Sequence, residues 1–288
     1  RRFYYGPDSR HHDMGPRVAR AFQRAGRAFV LMDPSYEGNV RVAANAQRLL
    51  SLALASGADV ILIDHFGIET TVGEWGAFTA ALRRARPSVK LVHFNFDPWI
   101  QKAWPTLQAL GQQVDLIWAH FPGGRYWDEL GLRAKLYPLP FPVGVVVDEL
   151  PNSAPVNRTA FHGAVESYNL SRAYWLTMLS DAKLNITQQI SVHDSDGLDP
   201  IDSYRNYLTG FQNSERLLSF SMRSDGSRII TGRSFETVFS GACLIQERAD
   251  DLDFYFIPGE HYFRFETIED LTALLKELEH NPDMARKV

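Results

Sequence analysis

The 288-residue sequence has a single cysteine, Cys243, and therefore cannot form an internal disulfide framework. That cysteine lies in the apolar run Gly241–Ile245, which predicts a buried small side chain rather than a catalytic thiol. No apolar run approaches the ~20 residues that a membrane helix needs, and the first residues lack the apolar core of a signal peptide. We therefore expect no membrane span and, by default, a cytoplasmic protein.

A large excess of charge of either sign is also missing. The 30 Lys and Arg against 34 Asp and Glu give a net charge of -4, which argues against a strongly basic nucleic-acid binder. Hydrophobic residues make up 45% and charged residues 22%, proportions typical of a globular protein with a real core. No Gly-x-Gly-x-x-Gly follows an early strand, so a nicotinamide-dependent oxidoreductase is a weak hypothesis.

Short apolar runs alternate with helix-like stretches along the chain. In the first half, Asp59–Asp64 and Lys90–Phe94 read as strands, while Val40–Ser56 and Glu74–Arg86 read as helices. Continuous apolar strands that alternate with helices indicate a parallel sheet covered on both faces. In such a doubly wound α/β domain, ligands bind at the carboxyl ends of the strands.

Prolines interrupt this alternation near the middle of the chain. Five of them fall between residues 138 and 155, and the alternation restarts after them. This composition predicts an interdomain linker, with an N-terminal domain over residues 1–148 and a C-terminal domain over residues 149–288. We expect two Rossmann-like doubly wound domains that face a cleft, where ligands prefer to bind.

The most informative segment is Thr231-Gly232-Arg233-Ser234-Phe235-Glu236, which precedes and enters a predicted helix over 234–240. Ser234 is the expected N-cap, and the amides of a helix N-terminus favour phosphate. Arg233 adds a bidentate phosphate donor, and Glu236, one turn on, suits ribose hydroxyls. The alternative is a capped helix with an Arg–Glu ion pair. The residues alone favour neither interpretation over the other.

A second segment, Phe161-His162-Gly163, ends a predicted strand and is followed by a helix over 169–179 that contains Arg172. A glycine at a strand end lets the backbone approach a ligand closely. Arg172 lies near the start of its helix, within reach of the same phosphate. The alternative is an ordinary glycine turn.

From Arg228 to Val288 the sequence resembles the C-terminal part of GT-B glycosyltransferases, especially the family typified by the spore-maturation protein CgeB. The opening of that domain resembles Phe161-His162-Gly163 and the helix with Arg172, whereas the N-terminal half matches only in its alternating layout. The stretches that carry the resemblance are Thr231–Glu236, Ser240–Ile245, Phe256–Glu260, Phe265–Leu271, Asn281–Asp283 and Ala285–Arg286.

This resemblance implies a glycosyltransferase, a hexosyl or related transferase, that uses a nucleotide sugar as donor, most simply a UDP- or GDP-sugar. Members of this group are generally metal-independent, so no metal and no further cofactor are expected. By analogy Glu236 would hold the ribose hydroxyls. The diphosphate would be held by the helix start that includes Ser234 and by Gly163, Arg172, Thr231 and Arg233.

Related retaining enzymes carry a second glutamate eight positions before the one equivalent to Glu236, and that position is Arg228 here. The donor-sugar contacts and the stereochemical class therefore stay open. So do two alternatives on the same architecture, a nucleotide-sugar epimerase and a catalytically inactive nucleotide-sugar-binding module.

The acceptor side rests on polar residues after predicted strands. Asp64 and His65 follow an apolar strand, and Asp13 lies in the first strand-to-helix loop, so these three are candidates for sugar contact or base catalysis. Structural hydrogen bonds or a solvated turn explain them about equally well. His93 and His120 also lie near strand ends, but the histidines are not spaced like a zinc site. The acceptor itself, a glycan, a small molecule or a protein, is open.

Overall fold

A computed structural model describes most of the chain: residues 14–29, 36–37, 40–41, 46–64, 72–94, 101, 104–123, 125–143, 145, 147–151, 154–163, 165, 170–189, 200–223 and 226–288. From Met14 on, these residues form two compact units, one before residue 145 and the other from Val145 to the end.

The first unit is built on a four-stranded parallel sheet of order β3-β4-β5-β6. Its core is formed by apolar side chains from this sheet and from α2, α3 and α4, among them Trp75, Leu91 and Ile117. The helices are α1 (Met14–Arg24), α2 (Ala46–Ser56), α3 (Val72–Ala85), α4 (Trp104–Gln113) and α5 (Tyr126–Glu129), and the strands are β1 (Tyr36–Glu37), β2 (Val40–Arg41), β3 (Val60–Asp64), β4 (Lys90–Phe94), β5 (Leu116–Ala119) and β6 (Leu136–Pro138).

One expectation for the first unit needs correction, and one residue near a strand end is placed. The helix predicted from Val40 begins only at Ala46, because Val40–Arg41 is a strand paired with β1; β-branched valines favour extended backbone. His93 lies inside β4, paired with Ile63 and Ile117, and is completely buried. It therefore lies in the predicted strand, one residue before its end, as a core residue of the sheet.

The second unit is built on a five-stranded parallel sheet of order β11-β10-β9-β7-β8. Its first and third strands, β7 and β9, are neighbours, so the strand order reverses between them. The strands are β7 (Asn157–His162), β8 (Thr187–Gln189), β9 (Ser214–Ser219), β10 (Cys243–Glu247) and β11 (Phe263–Phe265), and the helices are α6 (Leu170–Asp181), α7 (Pro200–Gln212), α8 (Gly232–Phe239), α9 (Ile268–His280) and α10 (Pro282–Arg286).

Helices cover both faces of this second sheet. On one face α6 and α9 pack on a core that includes Phe161, Leu218 and Ile245. On the other, α7 and α8 contact each other and pack on β9 and β10. Cys243 belongs to the core, and burial raises the pKa of its thiol to about 12, so the thiol stays protonated. Such a sheet binds ligands beyond the carboxyl ends of its strands at the reversal point, which here is between β7 and β9.

Candidate functional site

The segment Thr231–Glu236 forms the start of α8. The N-cap is Thr231, with extended backbone at φ -115° and ψ 161° and no capping bond from its side chain. The prediction that Ser234 is the N-cap is wrong, because the chain is already helical from Gly232. The Ser234 hydroxyl instead donates a buried 2.7 Å hydrogen bond to Oε1 of Gln246 in β10. Ser234 therefore ties the helix to the sheet, whereas the Thr231 hydroxyl oxygen is buried with no hydrogen-bond partner among the described residues.

Arg233 joins the start of α8 to the end of β7. A Cβ built on Gly163 would lie 2.0 Å from Nη2 of Arg233 and 2.7 Å from its Cζ, so the guanidinium fills the space beside this glycine. The same guanidinium lies 5.2 Å from the ring centre of Phe161. Arg233 is 9% exposed, and its Nε and Nη1 have no hydrogen-bond partner in the described part of the chain. A buried cation with unused donors is suited to binding an anion.

His162, the last residue of β7, lies beside this arginine. Its ring packs edge-on against Phe211 of α7, with ring centres 5.3 Å apart. Burial first, and the positive charge of Arg233 second, lower the pKa of His162 to about 4. The imidazole is therefore neutral at pH 7 and adds no positive charge beside the guanidinium.

Glu236, one turn after Arg233, is also buried, with 4% exposure. Its Oε1 accepts a 3.0 Å hydrogen bond from the Tyr204 hydroxyl and its Oε2 a 3.3 Å bond from the Tyr207 hydroxyl, both from α7. Each carboxylate oxygen has two lone pairs, so a bond from one hydroxyl does not by itself use all of its accepting capacity. Sequence analysis missed these tyrosines, although their spacing of three residues places them on one face of α7.

The loop after β9 is held from two sides. The Ser171 hydroxyl of α6 donates a 2.6 Å bond to the carbonyl of Met222, and Glu247 of β10 accepts bonds from the amides of Ser221 and Met222 at 2.8 and 3.0 Å. Arg172, predicted as a phosphate ligand, is buried in the first turn of α6, next to Ser171. The structure thus fixes the entry to the loop that leads to α8. The role of Glu247 was not foreseen from the sequence.

The acceptor-side candidates are only partly described. Asp64 is the last residue of β3, paired with Phe94 of β4, which puts its backbone at the carboxyl end of the first sheet. Asp13 and His65 lie outside the described residues, so the roles expected of all three stay predictions. Within the part of the chain that the structure covers, no group of three or more His, Cys, Asp or Glu could hold a metal ion, and no helix is long and apolar enough to cross a membrane.

Comparison with known proteins gives a family-model match within the second unit and a fold for the chain. Residues 157–288 match the family model described as glycosyl transferase-like. No curated protein is significantly similar in sequence. HepE from Anabaena, solved in complex with UDP, superposes with a TM-score of 0.64 at 10% identity, over 99% of this chain and 90% of that one.

Two further solved structures share this fold. A glycosyltransferase from Rickettsia africae gives a TM-score of 0.54 at 13% identity, over 95% of this chain and 86% of its own. Sucrose-phosphate synthase from Thermosynechococcus elongatus gives a TM-score of 0.50 at 11% identity, over 84% of this chain and 69% of its own. The narrower CgeB-like subtype stays a prediction. The α/β fold matches that of GT-B glycosyltransferases, and residues 157–288 match the glycosyl transferase-like family.

Proposed function

We propose that the chain is a glycosyltransferase and that it moves a sugar from a nucleoside-diphosphate sugar, most simply a UDP-sugar, to an acceptor alcohol or amine. Structures of the neighbour HepE contain UDP and UDP-glucose, which supports a donor of this chemical class. The polar cluster around Arg233 and Glu236 lies next to the reversal point of the second sheet, the expected place for such a ligand.

The observation that carries the proposal is the spacing of Arg233 and Glu236. They lie one turn apart in α8, and both are almost completely buried. A guanidinium is complementary to a diphosphate, and a carboxylate is complementary to the neighbouring hydroxyls of a ribose. The two groups together fit a nucleoside diphosphate better than they fit a free phosphate or a free sugar.

In the proposed reaction the bond between the anomeric carbon and the diphosphate oxygen breaks, and the acceptor atom bonds to that carbon. The transition state is oxocarbenium-like, and negative charge builds up on the leaving diphosphate. Arg233, Arg172 and the amides at the start of α8 would stabilise that charge more than they stabilise the bound donor. No metal ion takes part in this proposal. The acceptor proton would go to a base drawn from Asp13, Asp64 and His65.

Titration of the protein with UDP, GDP and uridine by calorimetry tests the donor site. We expect one nucleoside diphosphate to bind, and Arg233→Ala to weaken it about 10- to 100-fold, because hydrogen bonds to charged groups are strong. Arg286→Ala is the matched control, since Arg286 is an exposed arginine paired with Asp283 in the same unit. If neither UDP nor GDP binds, or if both variants bind alike, the proposed donor site is wrong.

Slow hydrolysis of one nucleotide sugar by the same protein tests the chemistry. A glycosyltransferase releases the sugar and the nucleoside diphosphate, whereas an epimerase would convert the donor into an isomer without any acceptor. Binding without any turnover would indicate an inactive binding module. We expect His65→Ala to lose turnover and to keep nucleotide affinity.

A further inference from the structure

His162 is a buried polar residue at the centre of the cluster. It is 4% exposed. Phe161, the preceding residue of β7, packs in the core on the α6 and α9 face of the sheet, so the His162 side chain lies on the opposite face, with α7 and α8. From α7 it meets the uncharged ring of Phe211, and from α8 it meets the positive charge of Arg233.

Two neighbouring groups in this cluster have unused hydrogen-bonding atoms. Nε2 of His162 is buried without a hydrogen-bond partner in the described part of the chain, and so are Nε and Nη1 of Arg233. Burying one such atom is costly, and native proteins rarely leave several together. An anion that accepts hydrogen bonds from both side chains would satisfy them at once.

Building on the proposed function, we propose that His162 is a ligand of the donor diphosphate beside Arg233, and that it donates a hydrogen bond to a phosphate oxygen through Nε2. A neutral imidazole donates through one ring nitrogen, so the proposal requires the proton on Nε2. The imidazole adds a directed donor without a fixed second charge that would repel the guanidinium in the empty site.

Calorimetric titration with UDP and with uridine, which lacks the diphosphate, tests this contact. The variants are His162→Phe, which keeps a ring but removes the donor, and His162→Gln, which keeps an amide donor near the position of Nε2. We expect His162→Phe to weaken UDP binding about tenfold while uridine affinity stays within about twofold of the wild type. His162→Gln should recover most of the lost UDP affinity.

A second measurement uses the C2–H proton signal of His162 in NMR spectra, assigned by its absence in His162→Gln. An oxyanion at hydrogen-bond distance favours the imidazolium, so saturation with UDP should raise the pH midpoint of this signal by about one unit or more. A histidine with only a packing role would lose UDP and uridine affinity in parallel and would show no such shift.

The inference alone fails if the wild type binds UDP but His162→Phe binds it equally well, or if the midpoint does not move. If the wild type binds neither UDP nor GDP, the proposed function fails, and this inference fails with it. Thermal unfolding of both variants shows whether they are folded. Should His162→Phe prove unfolded, the NMR shift in the wild type decides the question by itself.

Discussion

The guanidinium of Arg233 occupies the space into which a side chain at Gly163 would project. This relationship links the end of the first strand of the second unit to the start of α8. It also explains why the strand is followed by glycine, since any Cβ at this position would collide with the arginine. Gly163 has φ of +147°, a conformation that other residues rarely adopt, so sterics and backbone geometry both favour glycine here.

Gly163→Ala should displace Arg233 and weaken UDP binding by about tenfold or more. Gly259→Ala is the control, because Gly259 also has positive φ, at +80°, but no atom of the described residues lies within 4 Å of the place a Cβ would take there. It should lose about 1 kcal/mol of stability from backbone strain and keep its UDP affinity. Calorimetry and urea unfolding measure both effects. Equal UDP affinities in the two variants would contradict the steric link to Arg233.

Glu236→Gln should remove the preference for a ribose diol. We expect the wild type to bind UDP about tenfold more tightly than 2′-deoxy-UDP, because the carboxylate accepts a charge-assisted bond from the missing hydroxyl. In Glu236→Gln the two affinities should be similar. Tyr204→Phe, which removes the 3.0 Å bond to Oε1, should reduce the preference only partly, because Tyr207 still holds Oε2. A preference unchanged in Glu236→Gln would place the ribose elsewhere.

Ser234→Ala should lower stability and leave nucleotide affinity nearly unchanged. Its hydroxyl is used in the buried bond to Gln246, so the substitution leaves the Gln246 oxygen without this donor, at a cost of about 1–3 kcal/mol. Thr177→Ala is the control, since that hydroxyl bonds the Ala173 carbonyl on an exposed face of α6. The free energy of unfolding in urea gives the result. Lost UDP affinity with unchanged stability would instead assign Ser234 to the ligand.

His162 should make the protein less stable in acid. Its pKa is lowered from 6.5 to about 4 in the folded state, so between these pH values the unfolded chain binds more protons. The free energy of unfolding therefore falls as the pH drops from 7 to 4, by about 3 kcal/mol from this residue. His162→Gln lacks this contribution. Urea unfolding at pH 7, 5.5 and 4 should give a steeper loss for the wild type, and parallel curves would contradict the buried neutral imidazole.

The fold was largely accessible from the sequence, because strands buried on both faces are continuous apolar runs. Lys90–Phe94 was predicted with its observed bounds. Short elements were harder: β11 has three residues, and no period can be read from so few. The start of α8 was misplaced because serine is a good N-cap, yet the chain turns helical at Gly232, before Ser234 is reached.

The candidate site could be predicted from the sequence only in part. Arg233 and Glu236 stand out because they lie one turn apart, directly after Gly232, in a segment that enters a predicted helix. Tyr204 and Glu247 do not, since a tyrosine in a helix or a glutamate at a strand end is common in any sequence. Their partners, Glu236 in one case and two loop amides in the other, lie 32 and about 26 residues away along the chain. Only the sheet order brings such residues together.

The hydrogen bonds from the amides of Ser221 and Met222 to Glu247 have a consequence for substitutions outside the donor site. The carboxylate of Glu247 in β10 holds the start of the connection from β9 to α8. The position of Arg233 in α8 therefore depends on a residue that need not contact the nucleotide sugar. A substitution of Glu247 would therefore impair catalysis before it measurably lowered the free energy of unfolding.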